Sequence, residues 1–125
     1  MEDLVIKKCN KCNALVKVIK DCNCDDCQIM CCNEKMQIVT PNSEDAAFEK
    51  HIPNYEIENG VLKVQVNHVM EDDHYIEWIC LKTDSKEEFI YFKPNQEAKC
   101  EFNSIKNGVL YSYCNKHGLW KKEIS

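Results

Sequence analysis

The chain has 125 residues, 30% of them charged, with a net charge of −5, and all 16 of its basic residues are Lys. That length suits one average domain, or one small domain beside a still smaller metal-bound one, and excludes multi-domain machinery. Apolar runs such as Ala14 to Val16 are far too short to cross a bilayer, and the lack of Arg removes the side chain best suited to phosphate forks and base edges, so neither a membrane nor a nucleic acid is expected as a partner. Met1-Glu2-Asp3 opens no basic, apolar secretion signal, which makes the cytoplasm the expected location.

Cysteine dominates the amino-terminal part of the chain. Of ten Cys, seven fall between Cys9 and Cys32, and Cys80, Cys100 and Cys114 follow. In a reducing compartment such crowded thiols more often hold a metal than form disulfides. From Met1 to Val39 the apolar residues Val5, Ile6, Leu15, Val16, Val18 and Ile19 are too few to close a core against chain entropy, so something covalent or metallic is expected to hold this stretch. Cys9-Asn-Lys-Cys12 has the two-residue gap that lets one tight turn aim two thiolates at a tetrahedral ion. Two pairs compete to complete the set. Cys24-Asp-Asp-Cys27 is the one favoured by spacing and would make an ordinary zinc ribbon; the adjacent Cys31-Cys32 is the other. Zinc and iron both accept four thiolates, and spacing does not separate them.

Thr40-Pro41-Asn42-Ser43 reads as a short linker, which divides the chain into domains at 1–39 and 40–125. Ser43 to Glu49 could hold a turn or two of helix, with Ser43 as N-cap and Glu44 and Asp45 in its first turn. From Tyr55 the apolar period drops to two. Tyr55 and Ile57 precede Asn59-Gly60, and Leu62, Val64 and Val66 alternate with polar residues, which predicts a hairpin with a type I′ turn. Strand-like runs follow at Tyr75–Leu81, Phe89–Phe92 and Lys99–Phe102, and a second hairpin signal, Asn107-Gly108, precedes Val109–Tyr113. Several short strands with regular turn signals predict an all-β chain whose larger part is an antiparallel sandwich. Cys80 and Cys100, in strand positions, read as packed core residues.

All four His lie beyond the cysteine-rich stretch, in Glu49-Lys50-His51-Ile52-Pro53, in His68-Val-Met-Glu-Asp-Asp-His74-Tyr-Ile-Glu-Trp78-Ile79 and in Cys114-Asn-Lys-His117-Gly118-Leu-Trp120. His68 and His74 flank an acidic loop, and Cys114 and His117 have the two-residue gap that places a thiolate and an imidazole on one turn. A lone His beside a strand is ordinarily a surface or satisfied core residue. Four with no surplus, all at segment ends beside a Cys-x-x-His, point to a second metal site.

These segments resemble superoxide reductases, called desulfoferrodoxins when a cysteine-rich domain is attached. Cys9-Asn-Lys-Cys12, Val16-Lys-Val18 and Met30-Cys31-Cys32-Asn-Glu-Lys-Met36 resemble that family's desulforedoxin-type domain, and His74-Tyr-Ile-Glu-Trp-Ile79 with Cys114-Asn-Lys-His-Gly-Leu-Trp120 resemble its catalytic domain. The resemblance implies a small rubredoxin/desulforedoxin-like domain followed by an immunoglobulin-like β-sandwich. It also implies two mononuclear irons. Cys9, Cys12, Cys31 and Cys32 would ligate an electron-transferring tetrathiolate iron; His51, His68, His74 and His117 would be the equatorial ligands of the catalytic iron, with Cys114 as its axial thiolate. Glu49 and Lys50 match the family's mobile loop pair. The chain departs from the family pattern at Asn13 and Asn33, where Gly is usual, at Val69, where Pro is common, and at Asp21-Cys-Asn-Cys-Asp-Asp-Cys27, which replaces a glycine-rich connection. Asn tolerates the left-handed conformation such Gly residues adopt, whereas Cys22, Cys24 and Cys27 have no counterpart role.

The activity so implied is one-electron reduction of superoxide to hydrogen peroxide, with Lys50 attracting the anion and Glu49 able to approach the oxidised iron. Each turnover needs an external electron, from rubredoxin or a similar small redox protein, and the family implies a homodimer. Two rivals remain at this stage: a non-catalytic iron or zinc protein with a closed second site, and a dismutase that would release dioxygen.

Overall fold

The computed structural model describes residues 2–24, 28–44, 46–103 and 107–124. They form two compact units, Glu2–Thr40 and Pro41–Ser125, built on different principles. Both are all-β.

The first unit has five very short strands: β1 Ile6–Lys8, β2 Leu15–Lys17, β3 Met30–Cys31, β4 Glu34–Lys35 and β5 Gln37–Ile38. Strands β2, β1 and β5 make one antiparallel sheet, and β3 pairs with β4 in a separate hairpin. None of these strands is signalled by the sequence, because two or three residues carry no readable period. Its buried apolar residues are few: Leu4, Ile6, Cys9 and Met36. Tight turns do the positioning. Cys9 N–H donates to the Ala14 carbonyl (3.0 Å) and Asn13 N–H to the Cys9 carbonyl (2.9 Å), which curls the chain from Cys9 to Ala14. Asn13 (φ 66°) sits in the left-handed region, and so do the two turn residues of the β3–β4 hairpin, Cys32 (φ 53°) and Asn33 (φ 61°). Asn13 and Asn33 thus adopt the left-handed backbone that Asn tolerates better than most side chains.

The second unit is a two-layer antiparallel stack. One sheet has the order β10-β7-β6, from β6 Asn54–Glu58, β7 Val61–Gln65 and β10 Lys99–Asn103; the other has the order β12-β11-β8-β9, from β8 Ile76–Lys82, β9 Glu87–Tyr91, β11 Gly108–Cys114 and β12 Gly118–Ile124. Leu62 and Val64 from the first sheet meet Ile79, Leu81 and Leu110 from the second in the core, closed by Phe102 and Ile124. The β6–β7 turn is as predicted, with positive φ at both Asn59 (52°) and Gly60 (78°). One bulge matters for function: Tyr113 pairs with Trp78 but Cys114 pairs with Ile76, so Glu77 is the extra residue. It reverses the side-chain alternation, and Ile76 and Ile79 both reach the core beside Cys114.

Two expectations need correction. Among the described residues no helix runs over 43–49; a single 3-10 turn covers Phe48–Lys50, and Asp45 lies outside the described residues. The segment is pinned elsewhere: Asn42 N–H donates to the Leu119 carbonyl (2.9 Å), Lys121 N–H donates to Asn42 Oδ1 (2.9 Å), and the Ala47 carbonyl faces the His51 ring (2.8 Å). Asn107-Gly108 is not a hairpin turn, because Gly108 already belongs to β11 and β10 pairs with β7 in the opposite sheet. Strand β12 carries no strand signal of its own in the sequence, because its first residues overlap the Cys114–Trp120 motif. No helix among the described residues is long and apolar enough to cross a membrane.

Leu110, wholly buried at the centre of the stack, is the most direct test of this core. Leu110→Ala is expected to lower unfolding free energy by about 2–5 kcal/mol, read from the urea midpoint by tryptophan fluorescence; a shift near zero would mean the two sheets do not pack through this residue.

Candidate metal centre

Two clusters of potential ligands stand out. His51, His68, His74, Cys114 and His117 gather at one end of the second unit, one ligand atom from each lying within 4.8 Å of the others, and Cys9, Cys12, Cys31 and Cys32 meet the same criterion in the first. The alternative pair Cys24 and Cys27 cannot be placed, because Cys27 lies outside the described residues.

The first cluster rests on two turns. The curl after Cys9 presents Cys9 and Cys12; the β3–β4 hairpin presents Cys31 and Cys32. Sulfur separations are 3.6 Å for Cys12–Cys31 and 3.9 Å for Cys31–Cys32, bracketing the edge of about 3.8 Å that four metal–sulfur bonds of about 2.3 Å would give in a tetrahedron. Their electrostatics are unequal without a cation. Backbone N–H groups of Cys12 and Lys11 draw the Cys9 thiol down to about 7. Cys31 is pushed up to about 12 by the neighbouring Cys12, Cys9 and Cys32 sulfurs, and Cys32 is raised chiefly by Cys12. Four thiolates so close repel one another, and a bound cation relieves the repulsion.

The second cluster is assembled from loops at strand ends. His51 follows the 3-10 turn, His68 follows β7, His74 precedes β8, Cys114 ends β11, and His117 lies in the turn to β12. Two of the rings are held from behind. His51 Nδ1 meets the Ala47 carbonyl (2.8 Å), and its own carbonyl accepts the buried Ser112 hydroxyl (2.6 Å). His68 Nδ1 bonds the Val69 carbonyl. Both rings are therefore left with Nε2 as the inward atom, the arrangement in which a ligating imidazole donates its other N–H to a carbonyl. His117 offers Nδ1 instead, 3.2 Å from His51 Nε2, close to the separation of about 3.0 Å between neighbouring nitrogens at right angles on one metal. Cys114 Sγ is 3.5 Å from His68 Nε2 and 4.0 Å from His117 Nδ1. His74 Nε2 is buried with no hydrogen-bond partner among the described residues. An imidazole nitrogen so placed is costly unless something else, such as a metal, completes it.

Burial sets the protonation of this cluster. It lowers His51 and His74, takes His68 down to about 4, and raises Cys114, against which the N–H groups of Lys116 and His117 pull the thiol back. Three of the imidazoles are thus kept neutral, the form that binds metal, and the sulfur awaits a cation to favour its thiolate. Donor types, distances and the orphaned His74 nitrogen all suit a borderline transition metal such as iron.

Glu49 and Lys50 are exposed in the 3-10 turn immediately before His51. The Lys50 charge is near enough to contribute to the lowering of His51. Cys80 is fully buried in β8, and Cys100 packs against the core, where burial pushes its thiol up to about 12.

The family model described as Desulfoferrodoxin matches residues 43–123. The chain belongs to the desulfoferrodoxin family. A desulfoferrodoxin of Desulfarculus baarsii is 39% identical over 126 residues, covering 98% of both chains. A superoxide reductase of Thermococcus kodakarensis is 35% identical over 109 residues, covering 69% of this chain and 95% of its own. Among solved structures, the superoxide reductase from Treponema pallidum superposes with a TM-score of 0.73 at 27% identity, over 97% of this chain and 99% of that one. As a desulfoferrodoxin the chain carries both candidate iron sites, the four-cysteine and the four-histidine, one-cysteine cluster.

Sequence reasoning missed the residues that brace these ligands. Asn115 is the clearest. Its Oδ1 accepts the Tyr75 N–H (3.0 Å) and its Nδ2 donates to the Asp73 carbonyl (2.9 Å), so one side chain grips the backbone on both sides of His74. Trp120 stacks on the His51 ring (centroids 4.8 Å apart) while its indole N–H bonds the His117 carbonyl (3.0 Å). Both lie inside the Cys114–Trp120 motif, but Tyr75 and Asp73, which Asn115 grips, and His51, on which Trp120 stacks, are distant in sequence. Asn115→Ala is expected to weaken iron retention at the second cluster about tenfold to hundredfold, measured by chelator competition; unchanged retention would mean that His74 is held by other contacts.

Proposed function

We propose that this desulfoferrodoxin is a superoxide reductase whose reaction takes place at His51, His68, His74, Cys114 and His117. The observation that carries the reading is the convergence of four imidazole nitrogens and one sulfur at the end of the β-stack. In this reading the domain at 40–125 is catalytic and the domain at 1–39 holds a tetrathiolate iron through Cys9, Cys12, Cys31 and Cys32. When bound at the five-donor set, iron supplies the single electron that takes superoxide to the peroxide level, and two protons complete hydrogen peroxide.

The chain's own residues do the rest. Neutral imidazoles leave most of the metal's charge uncancelled, so a small anion is drawn to the site although the protein as a whole carries −5. Lys50, exposed next to His51, adds a second positive charge and orients the water from which protons come. Glu49, its neighbour, can approach the site once superoxide has reacted. The Cys114 sulfur receives backbone N–H groups from Lys116 and His117, which hold its thiolate in place and temper its donation, the lever by which second-shell hydrogen bonds tune such centres. A sulfur donor poises the site in one direction, which favours reduction over dismutation.

The electron must be replaced after every turnover. A rubredoxin-like donor, a homodimeric state and a cytoplasmic setting complete the proposal on the strength of the family resemblance. The iron-loaded, reduced chain should consume superoxide with one hydrogen peroxide formed per superoxide and no dioxygen released, followed by pulse radiolysis with an oxygen electrode. Dioxygen yield at half the superoxide consumed would instead identify a dismutase. Lys50→Ile should slow the second-order reaction by about tenfold or more and flatten its dependence on ionic strength; an unchanged rate would remove Lys50 from the mechanism.

A further inference from the structure

The segment Asp21-Cys22-Asn23-Cys24 belongs to neither cluster. Cys22 and Cys24 are both exposed, and their sulfurs lie 3.1 Å apart, with Cys24 Sγ donating to Cys22 Sγ and Cys22 Sγ to the Cys24 carbonyl (3.7 Å). Asp21 Oδ1 accepts the Cys22 N–H (2.9 Å) and steadies the start of the bend. The separation decides what such a pair can do. Two thiolates on one tetrahedral metal stand about 3.8 Å apart, as the four-cysteine cluster does at 3.6 and 3.9 Å. At 3.1 Å the Cys22 and Cys24 sulfurs are too close to form an edge of that kind. They are placed to bond to each other.

We propose that Cys22 and Cys24 form a reversible dithiol–disulfide centre oxidised by hydrogen peroxide. One sulfur, as thiolate, attacks a peroxide oxygen; the oxygen–oxygen bond breaks, one oxygen leaves as water after taking up a proton, and the sulfur becomes a sulfenic acid. The second sulfur then attacks the first, forming the sulfur–sulfur bond and expelling a second water. In sum two thiols and one hydrogen peroxide give one disulfide and two waters, with two electrons passing from sulfur to peroxide. A thiol reductant reverses the step by exchange. With only Asn23 between them, the second thiol meets the sulfenic acid without any search through the chain. The view that the chain itself generates the peroxide rests on the superoxide-reducing reading above; the oxidation does not.

Cleavage before aspartate isolates the pair, since Asp21 and Asp25 bound a four-residue peptide, Asp21–Cys24, that carries these two cysteines and no others. The iron-loaded full chain, with its irons already in the ferric state, is treated with hydrogen peroxide, alkylated, cleaved and weighed. The expected result is the peptide lighter by two hydrogens and unalkylated, returning to the doubly alkylated form after dithiothreitol, while the visible spectrum of the four-cysteine iron is unchanged. In Cys22→Ser, Cys24 should instead be trapped by dimedone as a sulfenic acid, with the rate of superoxide consumption unaltered. A doubly alkylated peptide after peroxide, or one cross-linked to the fragment bearing Cys27, would overturn the proposal. Disulfide formation with added peroxide in a chain that makes none from superoxide would leave this centre standing and the functional reading fallen.

Discussion

Everything at the working end of this protein depends on five donor atoms being made to face one another. His51, His68, His74, Cys114 and His117 present ligand atoms within 4.8 Å in a half-buried setting, where buried polar atoms without partners cost stability. The hydrogen-bonding capacity of the His51 and His68 rings is directed outward to the Ala47 and Val69 carbonyls, which reserves the inner nitrogens. His74 Nε2 has no partner at all among the described residues. The fold therefore holds an arrangement that is unfavourable alone and favourable around a cation, which is how a preorganised metal site differs from a satisfied core.

The β-stack supplies the rigidity for this. The Glu77 bulge lets Ile76 and Ile79 both enter the core, which seats the end of β8 against Cys114. Asn115 ties the turn after Cys114 to the backbone around His74, and Trp120 ties His117 to His51 by one hydrogen bond and one ring stack. The segments carrying His51, His74 and the Cys114–His117 turn are thus cross-linked by side chains that are not themselves among the five donors. The smaller unit solves a different problem. With Leu4, Ile6, Cys9 and Met36 as its buried apolar residues, its order depends on turns and on whatever joins its four sulfurs, in keeping with the rule that small domains need a staple.

What could be read in the sequence follows from whether the signal was local. Asn59-Gly60 between alternating apolar residues encodes its turn in two adjacent positions, and the structure places it there. The strands Ile76–Lys82, Glu87–Tyr91 and Lys99–Asn103 lie close to the expected runs for the same reason. Asn107-Gly108 misled because the same dipeptide also suits the entry to a strand, and only the pairing of β10 with β7 shows that no hairpin forms there. The helix expected over 43–49 had capping residues but met stronger claims on its backbone, at Asn42 and at the Ala47 carbonyl. The second cluster was legible since its residue types are rare and sit at motif spacing, whereas in the first, spacing favoured Cys24 and Cys27 and only the family resemblance pointed to Cys31 and Cys32 beside Cys9 and Cys12. Ser112, Asn115 and Trp120 were not legible, because an ordinary polar or aromatic residue reveals a bracing role only when its partner, dozens of residues away, is in view.

The central claim is that one sulfur and four nitrogens surround a single iron at the end of the second unit. X-ray absorption at the iron edge tests it most directly, on the reduced chain with Cys12 and Cys31 replaced by Ser so that the first cluster does not contribute. The account predicts a shell of four nitrogens and one sulfur, with the sulfur lost in Cys114→Ser. A shell without sulfur, or one with two or more, would contradict it.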